Sequence, residues 1–147
     1  MLVRAVVQRV RAASVSVDGE EVARVGPGLC VLLGVAADDA PDDARRLGVR
    51  VARLRIFEND EGKLDRSVAD IRGEALVVSQ FTLIADTAKG NRPSFGRAAG
   101  REQAEPLYRV VCAAIADEGV GVATGAFGAR MLVEIANDGP VTLVLET

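Results

Sequence analysis

Hydrophobic positions along this chain recur with two periods, and the changes between them mark its elements. Leu2 to Val10 reads as a first strand, with Arg4, Gln8 and Arg9 as its polar positions. Ser14 to Val17 alternates, Asp18-Gly19 is a two-residue hairpin signal, and Val22 to Val25 returns. After Gly26-Pro27-Gly28, Leu29 to Val35 is a continuous apolar run, as in a central strand buried on both faces. Asp38 to Asp43 is acidic and contains Pro41, which suits a helix start. The helix then runs to about Arg53 with Ala44, Leu47, Val51 and Leu54 along one side. Leu54 to Phe57 reads as a short strand and Asn59 to Gly62 as a turn. A second helix is expected over Glu102 to Glu118, with Ala104, Leu107, Tyr108, Val111, Ala114 and Ile115 on its apolar face. Pro106 fits near the first turn and Gly119 closes it. Val120 to Phe127, Met131 to Ala136 and Val141 to Glu146 finish the chain as strands. Strands cluster and helices are few. The pattern predicts one α+β domain over residues 1–147: a mostly antiparallel, barrel-like sheet with two main helices.

One stretch breaks its own pattern. Ala75 to Ala85 opens as a buried strand with Leu76, Val77 and Val78, then places Ser79, Gln80 and Thr82 in an apolar context. As a strand throughout, it puts Gln80 and Thr82 on one face and Ser79 and Phe81 on the other. Buried polar groups cost about 1–3 kcal/mol each unless satisfied, so these residues mark either a strand end reaching solvent or a site. After Asp86 comes a loop of low periodicity containing Gly90, Pro93, Gly96 and Gly100. Long loops inside compact domains are often functional. Gly139-Pro140 lies between two strand-like runs, where a type I turn or an edge-strand break is the ordinary reason for it. Asn137, Asp138 and Thr142 around it are common turn formers.

Composition narrows the chemistry. The chain is 49% hydrophobic but 3% aromatic, so its core is aliphatic. It contains no histidine, which excludes a Ser-His-Asp triad, a Cys-His pair, an imidazole base and His-ligated zinc. Cys30 and Cys112 stand among apolar neighbours and read as core residues of a reduced, cytosolic protein; no metal site or cofactor is expected. No apolar run approaches the roughly 18 residues of a membrane span, and the N-terminus has no signal-peptide shape. A net charge of −3 argues against a general nucleic-acid-binding face. Lys89, Arg92, Arg97 and Arg101, however, fall in a stretch without acids, a local basic patch able to hold a few phosphates.

Two short runs, Ser79-Gln80-Phe81-Thr82-Leu83 and Asn137-Asp138-Gly139-Pro140-Val141-Thr142, resemble the signature motifs of the D-aminoacyl-tRNA deacylase family. The resemblance extends over essentially the whole chain, including Gln8-Arg9-Val10, Leu54 to Phe57, Lys89 to Phe95 and Thr124 to Met131. Either motif alone is weak; both in this order are specific. Leu132, where the family more often has Gln, and Leu64-Asp65, where Met-Asn is frequent, depart from the pattern outside both signatures. The resemblance implies a homodimeric, metal-free cytosolic esterase that removes D-amino acids, and glycine, from tRNA. It implies that Phe81 and Thr82, with Gln80, lie beside the scissile carbonyl. It also implies that a cis Gly139-Pro140 peptide enters the other subunit's pocket and excludes L-side chains. Ser79, Asn137 and Met131 join the substrate-binding set and Arg9 holds the filter in place. The basic loop fits such a substrate: Lys89, Arg92, Arg97 and Arg101 would contact tRNA by gripping phosphates of its acceptor end.

Thr82 is the nucleophile by residue type, but a hydroxyl without a neighbouring base is weak. The alternative is substrate-assisted hydrolysis, in which the free ribose hydroxyl of the terminal adenosine positions a water. Backbone N–H groups near Phe81 and Thr82 would then stabilise the oxyanion. A rival from another class is a dimeric domain that captures an amino acid without turning it over. A purely structural strand-and-turn protein leaves the basic, Gly-rich loop unexplained.

Overall fold

The computed structural model describes residues 3–147, so the expected first strand is followed from Val3 onward and Leu2 lies outside the described residues. The first two predicted runs form one strand, β1 (Arg4–Val17), which turns at Asp18-Gly19 into β2 (Glu20–Val25). Both turn residues have positive φ, as a two-residue hairpin requires. β3 (Gly28–Gly34) returns antiparallel to the first half of β1, and β6 (Glu74–Ser79) lies parallel to β3. β7 (Gly121–Thr124) extends the sheet parallel to β6 and stops short of the predicted Phe127. The sheet is therefore antiparallel around β1, with two parallel junctions at β6. It curls into a barrel-like form in which β2 comes back near β6 and β7. Phe57–Glu58 (β4) and Leu64–Arg66 (β5) make a separate small ribbon; the expected strand at Leu54 begins only at Phe57.

Residues Leu132 to Glu146 form a single edge strand, β8, along the whole of β1, where two strands and a turn were expected. Thr142 faces Gln8 and Asn137 faces Val10, so Asp138 to Val141 stand opposite Arg9 alone. The Gly-Pro motif is thus a large bulge within one continuous strand. Bulges of this kind re-aim side chains at sheet edges.

Two-sided burial along the central strands is as the apolar runs predict. Leu29, Val31 and Leu33 of β3 and Ala75 and Val77 of β6 face the core beneath the helices. Cys30, Leu76 and Val78 face a second core inside the curl with Val10, Ala13, Val15 and Val25. Burial pushes the Cys30 thiol up to about 12, so it packs as a neutral side chain.

Helix α1 (Pro41–Arg53) starts later than the acidic run at Asp38, for two local reasons. Asp39 Oδ2 accepts from Ala36 N at 2.7 Å and closes a preceding turn. Ala40, just before proline, is held extended, and its N–H donates to Asp43 Oδ2 at 2.9 Å. Helix α2 (Arg101–Asp117) buries Leu107, Tyr108, Val111, Ala114 and Ile115, the predicted face. Pro106 stands deeper than the first turn, where it was expected. It is tolerated because it and Glu102, whose carbonyl loses a donor, are both exposed to water. The two helices meet at Gly48, where a Cβ would lie 2.6 Å from Ala114 Cβ and 2.8 Å from the Val111 carbonyl oxygen. Helix propensity favours Gly48→Ala by about 1 kcal/mol. Overpacking against a backbone atom costs about 1–3 kcal/mol and outweighs it. A lowered urea midpoint is the expected outcome.

Candidate active site

β6 ends at Ser79 because the chain leaves the ladder there. Gln80 N makes the last bond to the sheet, donating to Leu33 O at 2.7 Å, and Phe81 to Ile84 coil into a short 3₁₀ turn. Leu83 N donates to Gln80 O at 3.2 Å and Ala85 N to Thr82 O at 3.1 Å. Ile84 is buried, and Arg4 Nη1 donates to Leu83 O at 2.7 Å, fixing the turn from behind. The expectation that this stretch stays a strand to Ala85 is therefore wrong, and so is the alternation of faces built on it. An apolar Leu83-Ile84 pair anchors a helical turn as readily as a strand end. The turn brings Ser79, Gln80, Phe81 and Thr82 to one cavity instead of dividing them between two faces.

That cavity, about 320 Å³, is closed on its far side by Phe127, Gly128, Ala129 and Met131, from the segment between β7 and β8. Val35, Ala99, Arg101 and Ala104 complete it. Phe81 stands 55% exposed at its rim, edge-on to Phe95 with ring centroids 5.1 Å apart. Gln80 Nε2 donates to Thr82 Oγ1 at 3.2 Å, so the neighbour of the hydroxyl is a donor and not a base. Tyr108 sits beneath Phe127, with ring centroids 5.5 Å apart, and gives its hydroxyl proton to Val77 O at 2.6 Å. Burial pushes the Tyr108 phenol well above its ordinary range, which removes it from acid–base work. Among the residues lining the cavity Arg101 alone is charged, and among the described residues no three His, Cys, Asp or Glu side chains gather as a metal site.

Arg101 and the other expected cations separate here. Arg101 is the first residue of α2 and belongs to the cavity wall, whereas Lys89, Arg92 and Arg97 are exposed on the preceding loop. The base of that loop is tied by paired bonds between Asp86 and Ser94, 2.7 and 2.8 Å. Phe127 and Phe95 are not singled out by the sequence pattern. Their signal lies in composition, since only 3% of the chain is aromatic and both fall within motif-bearing runs.

The second signature lies elsewhere. Gly139-Pro140 is cis, as the resemblance implies, and neither residue lines the cavity of its own chain. Arg9, 8% exposed, donates from Nε to Asp138 O at 3.0 Å and from Nη1 to Ile56 O at 2.9 Å. Gly139 has φ +128°, and a Cβ there would lie 2.9 Å from Arg9 Nη2, so glycine is required at this close approach. Asn137 braces the bulge from within, accepting from Val141 N at 3.0 Å and donating to Thr142 Oγ1 at 2.9 Å.

A curled α+β sheet carrying an aromatic-rimmed, mainly apolar cavity, with a few hydroxyl and amide groups on one wall and one cation, defines a class of protein. Such a site suits a small ligand held by apolar contact and oriented by a few hydrogen bonds, without imidazole or carboxylate chemistry at hand. The chain belongs to the D-Tyr-tRNA(Tyr) deacylase family, whose sequence model matches residues 6–146. It is 56% identical over 144 residues to a D-aminoacyl-tRNA deacylase of Dehalococcoides mccartyi, covering 98% of this chain and 94% of that one. It is 54% identical over 143 residues to the D-aminoacyl-tRNA deacylase of Deinococcus radiodurans, covering 97% and 99%. Among solved structures, a c-Myc DNA unwinding element binding protein superposes with a TM-score of 0.91 at 42% identity, over 98% of both chains. A probable eukaryotic D-amino acid tRNA deacylase shares the fold, with a TM-score of 0.84 at 19% identity over 100% of both chains.

Proposed function

We propose that this protein hydrolyses the ester of D-aminoacyl-tRNA, releasing the D-amino acid and tRNA, and that it also acts on glycyl-tRNA. The observation that carries this reading is 56% identity, over 98% of the chain, to a D-aminoacyl-tRNA deacylase. The convergence of Ser79 to Thr82 with Met131 on one cavity supports it. The chemistry is substrate-assisted. Gln80 donates to Thr82, leaving that hydroxyl without a proton acceptor, so the ribose hydroxyl of the terminal adenosine positions the attacking water. The amides of Phe81 and Thr82, at the start of the 3₁₀ turn, have no acceptor within it and receive the developing oxyanion.

The protein acts as a single-domain homodimer in the cytoplasm. Gly139-Pro140 does not line the cavity of its own chain yet is braced by Arg9 and Asn137, which supports delivery of the motif into the cavity of a second subunit. Asn137 serves there as a brace for the motif. No helix is long and apolar enough to cross a membrane among the described residues.

Incubation with matched D- and L-aminoacyl-tRNA, following loss of the ester, tests the function. Selective loss of the D-ester is expected. Binding of both without turnover would favour a capture domain, and binding of neither would end the reading. Lys89 and Arg92 take backbone phosphates of the acceptor end in this scheme. Neutralising both is expected to lower the slope of log affinity against log salt by about 1–2. An unmoved slope would make the loop a solvated surface.

A further inference from the structure

Arg101 has more built around it than a surface cation needs. Its guanidinium carbon lies 5.8 Å from the centroid of the Phe127 ring, and its Nε donates to Glu105 Oε1 at 3.4 Å. The other oxygen of Glu105 accepts from Arg109 Nη2 at 3.0 Å. Two guanidinium groups therefore share one carboxylate, and the trio keeps a net positive charge. The hydrogen bond from Arg109 holds the Glu105 carboxyl below the usual carboxylate range, so the pairing persists further into acid than it would for an ordinary carboxylate. Gly128, with φ +78°, leaves room for the guanidinium; a Cβ there would sit 3.2 Å from Arg101 Nη1. The apolar face of α2 lies on Leu107, Tyr108, Val111, Ala114 and Ile115, so the trio is not part of the core contact. The Arg101 side chain remains 68% exposed while lining the cavity, which puts its free donors at the mouth.

We propose that Arg101 is a specificity-determining residue of the cavity, positioned by Glu105 and Phe127, and that its ligand is the phosphodiester on the 5′ side of the terminal nucleoside. This rests on the deacylase reading given above and adds to it the group that the cavity's charge recognises. The size of the cavity, about 320 Å³, is at the small end for ligand pockets, which suits the aminoacyl end of the substrate and not a run of nucleotides. The first group to leave the mouth is then that phosphodiester, and the residue waiting there is a guanidinium whose planar fork matches phosphate oxygens. A side-chain carboxylate would also suit Arg101, but acidic amino acids are a small subset of substrates, whereas every aminoacyl-tRNA carries the phosphodiester.

The test compares two minimal substrates on each variant: D-tyrosyl-adenosine, and the same ester bearing a 5′-methyl phosphodiester. The readout is the ratio of their kcat/KM values, in which partial loss of folded protein cancels. The native chain is expected to favour the phosphorylated ester by roughly ten- to hundredfold, chiefly through KM, as for hydrogen bonds to a charged group. Arg101→Met is expected to bring the ratio close to unity, Arg101→Lys to keep part of it as a point charge, and Glu105→Gln to lower it with the cation still present. A ratio that survives Arg101→Met overturns the proposal, as does a native chain that hydrolyses both esters with equal efficiency. If Arg101→Met instead costs D-aspartyl-adenosine selectively relative to D-asparaginyl-adenosine, the ligand is a side-chain carboxylate and the phosphate assignment is wrong. If the native chain hydrolyses neither ester nor D-aminoacyl-tRNA, it is the deacylase reading that fails.

Discussion

Aminoacyl-tRNA ending in 2′-deoxyadenosine is expected to be hydrolysed at least about 100-fold more slowly than its ribose counterpart, the scale on which a lost transition-state hydrogen bond acts. Thr82→Ala is expected to stay within about tenfold of the native rate, whereas removal of a true nucleophile costs about a thousandfold or more. Both expectations follow from what surrounds the hydroxyl. Its hydrogen-bonding neighbour is the amide nitrogen of Gln80, which can only donate, and the chain contains no histidine. The one charged group on the cavity wall, Arg101, cannot act as a base. An aminoacyl ester is already activated, so a positioned water and two backbone donors meet the requirement. Single-turnover rates on the ribose and deoxyribose substrates, for native protein and Thr82→Ala, make the comparison. A covalent aminoacyl adduct on Thr82, trapped by acid quench, would restore the nucleophile mechanism.

Arg9→Met is expected to lower stability by about 2–4 kcal/mol and to reduce the D-over-L ratio of hydrolysis by roughly tenfold or more. The substitution keeps an apolar stem of similar length and removes only the guanidinium. Two carbonyls then lose their donor: Ile56 O, which is buried, and Asp138 O, which is partly so. Each unsatisfied group costs about 1–3 kcal/mol. Removing a buried cation relieves some desolvation, which keeps the loss below the sum of the two, and the lost pairing with Glu58, at 3.9 Å and largely exposed, adds little. The same bond to Asp138 positions the residue just before Gly139, so its loss loosens the loop that excludes L-side chains in the proposed dimer. Arg9→Lys retains charge without the fork and is expected to fall between the two. The ratio is read well below the melting temperature, with dimerisation followed by sedimentation. An unchanged ratio in an intact dimer would show that chirality is read away from Gly139-Pro140.

Much of the fold is legible in the chain's own pattern. Continuous apolar runs mark β3 and β6 as strands buried on both faces, since a strand with cores above and below has no polar positions to alternate. The three- and four-residue spacing marks the buried faces of α1 and α2, and Asp18-Gly19 marks the hairpin. The missing histidine excludes imidazole catalysis, and the two short motifs point to the family that the chain belongs to.

What tertiary structure decided was where periodic reading stops. Ser79 to Ile84 has a composition compatible with strand or turn, and local propensities differ by too little to choose. The choice falls to the packing of Ile84 and the bond from Arg4 to Leu83, partners remote in sequence. Asn137 to Thr142 carries turn-forming residues whichever way the chain continues. It becomes a bulge in one strand because β1 pairs on both sides of it and Arg9 reaches across to Asp138. Arg101 reads from the sequence as one of four loop cations. It becomes part of the cavity because α2 begins there and because Phe127, brought in by β7, lies beneath it. Sequence thus determined elements, core and family, which depend on local pattern. The site depends on contacts between residues far apart in the chain, and those exist only once the sheet has curled.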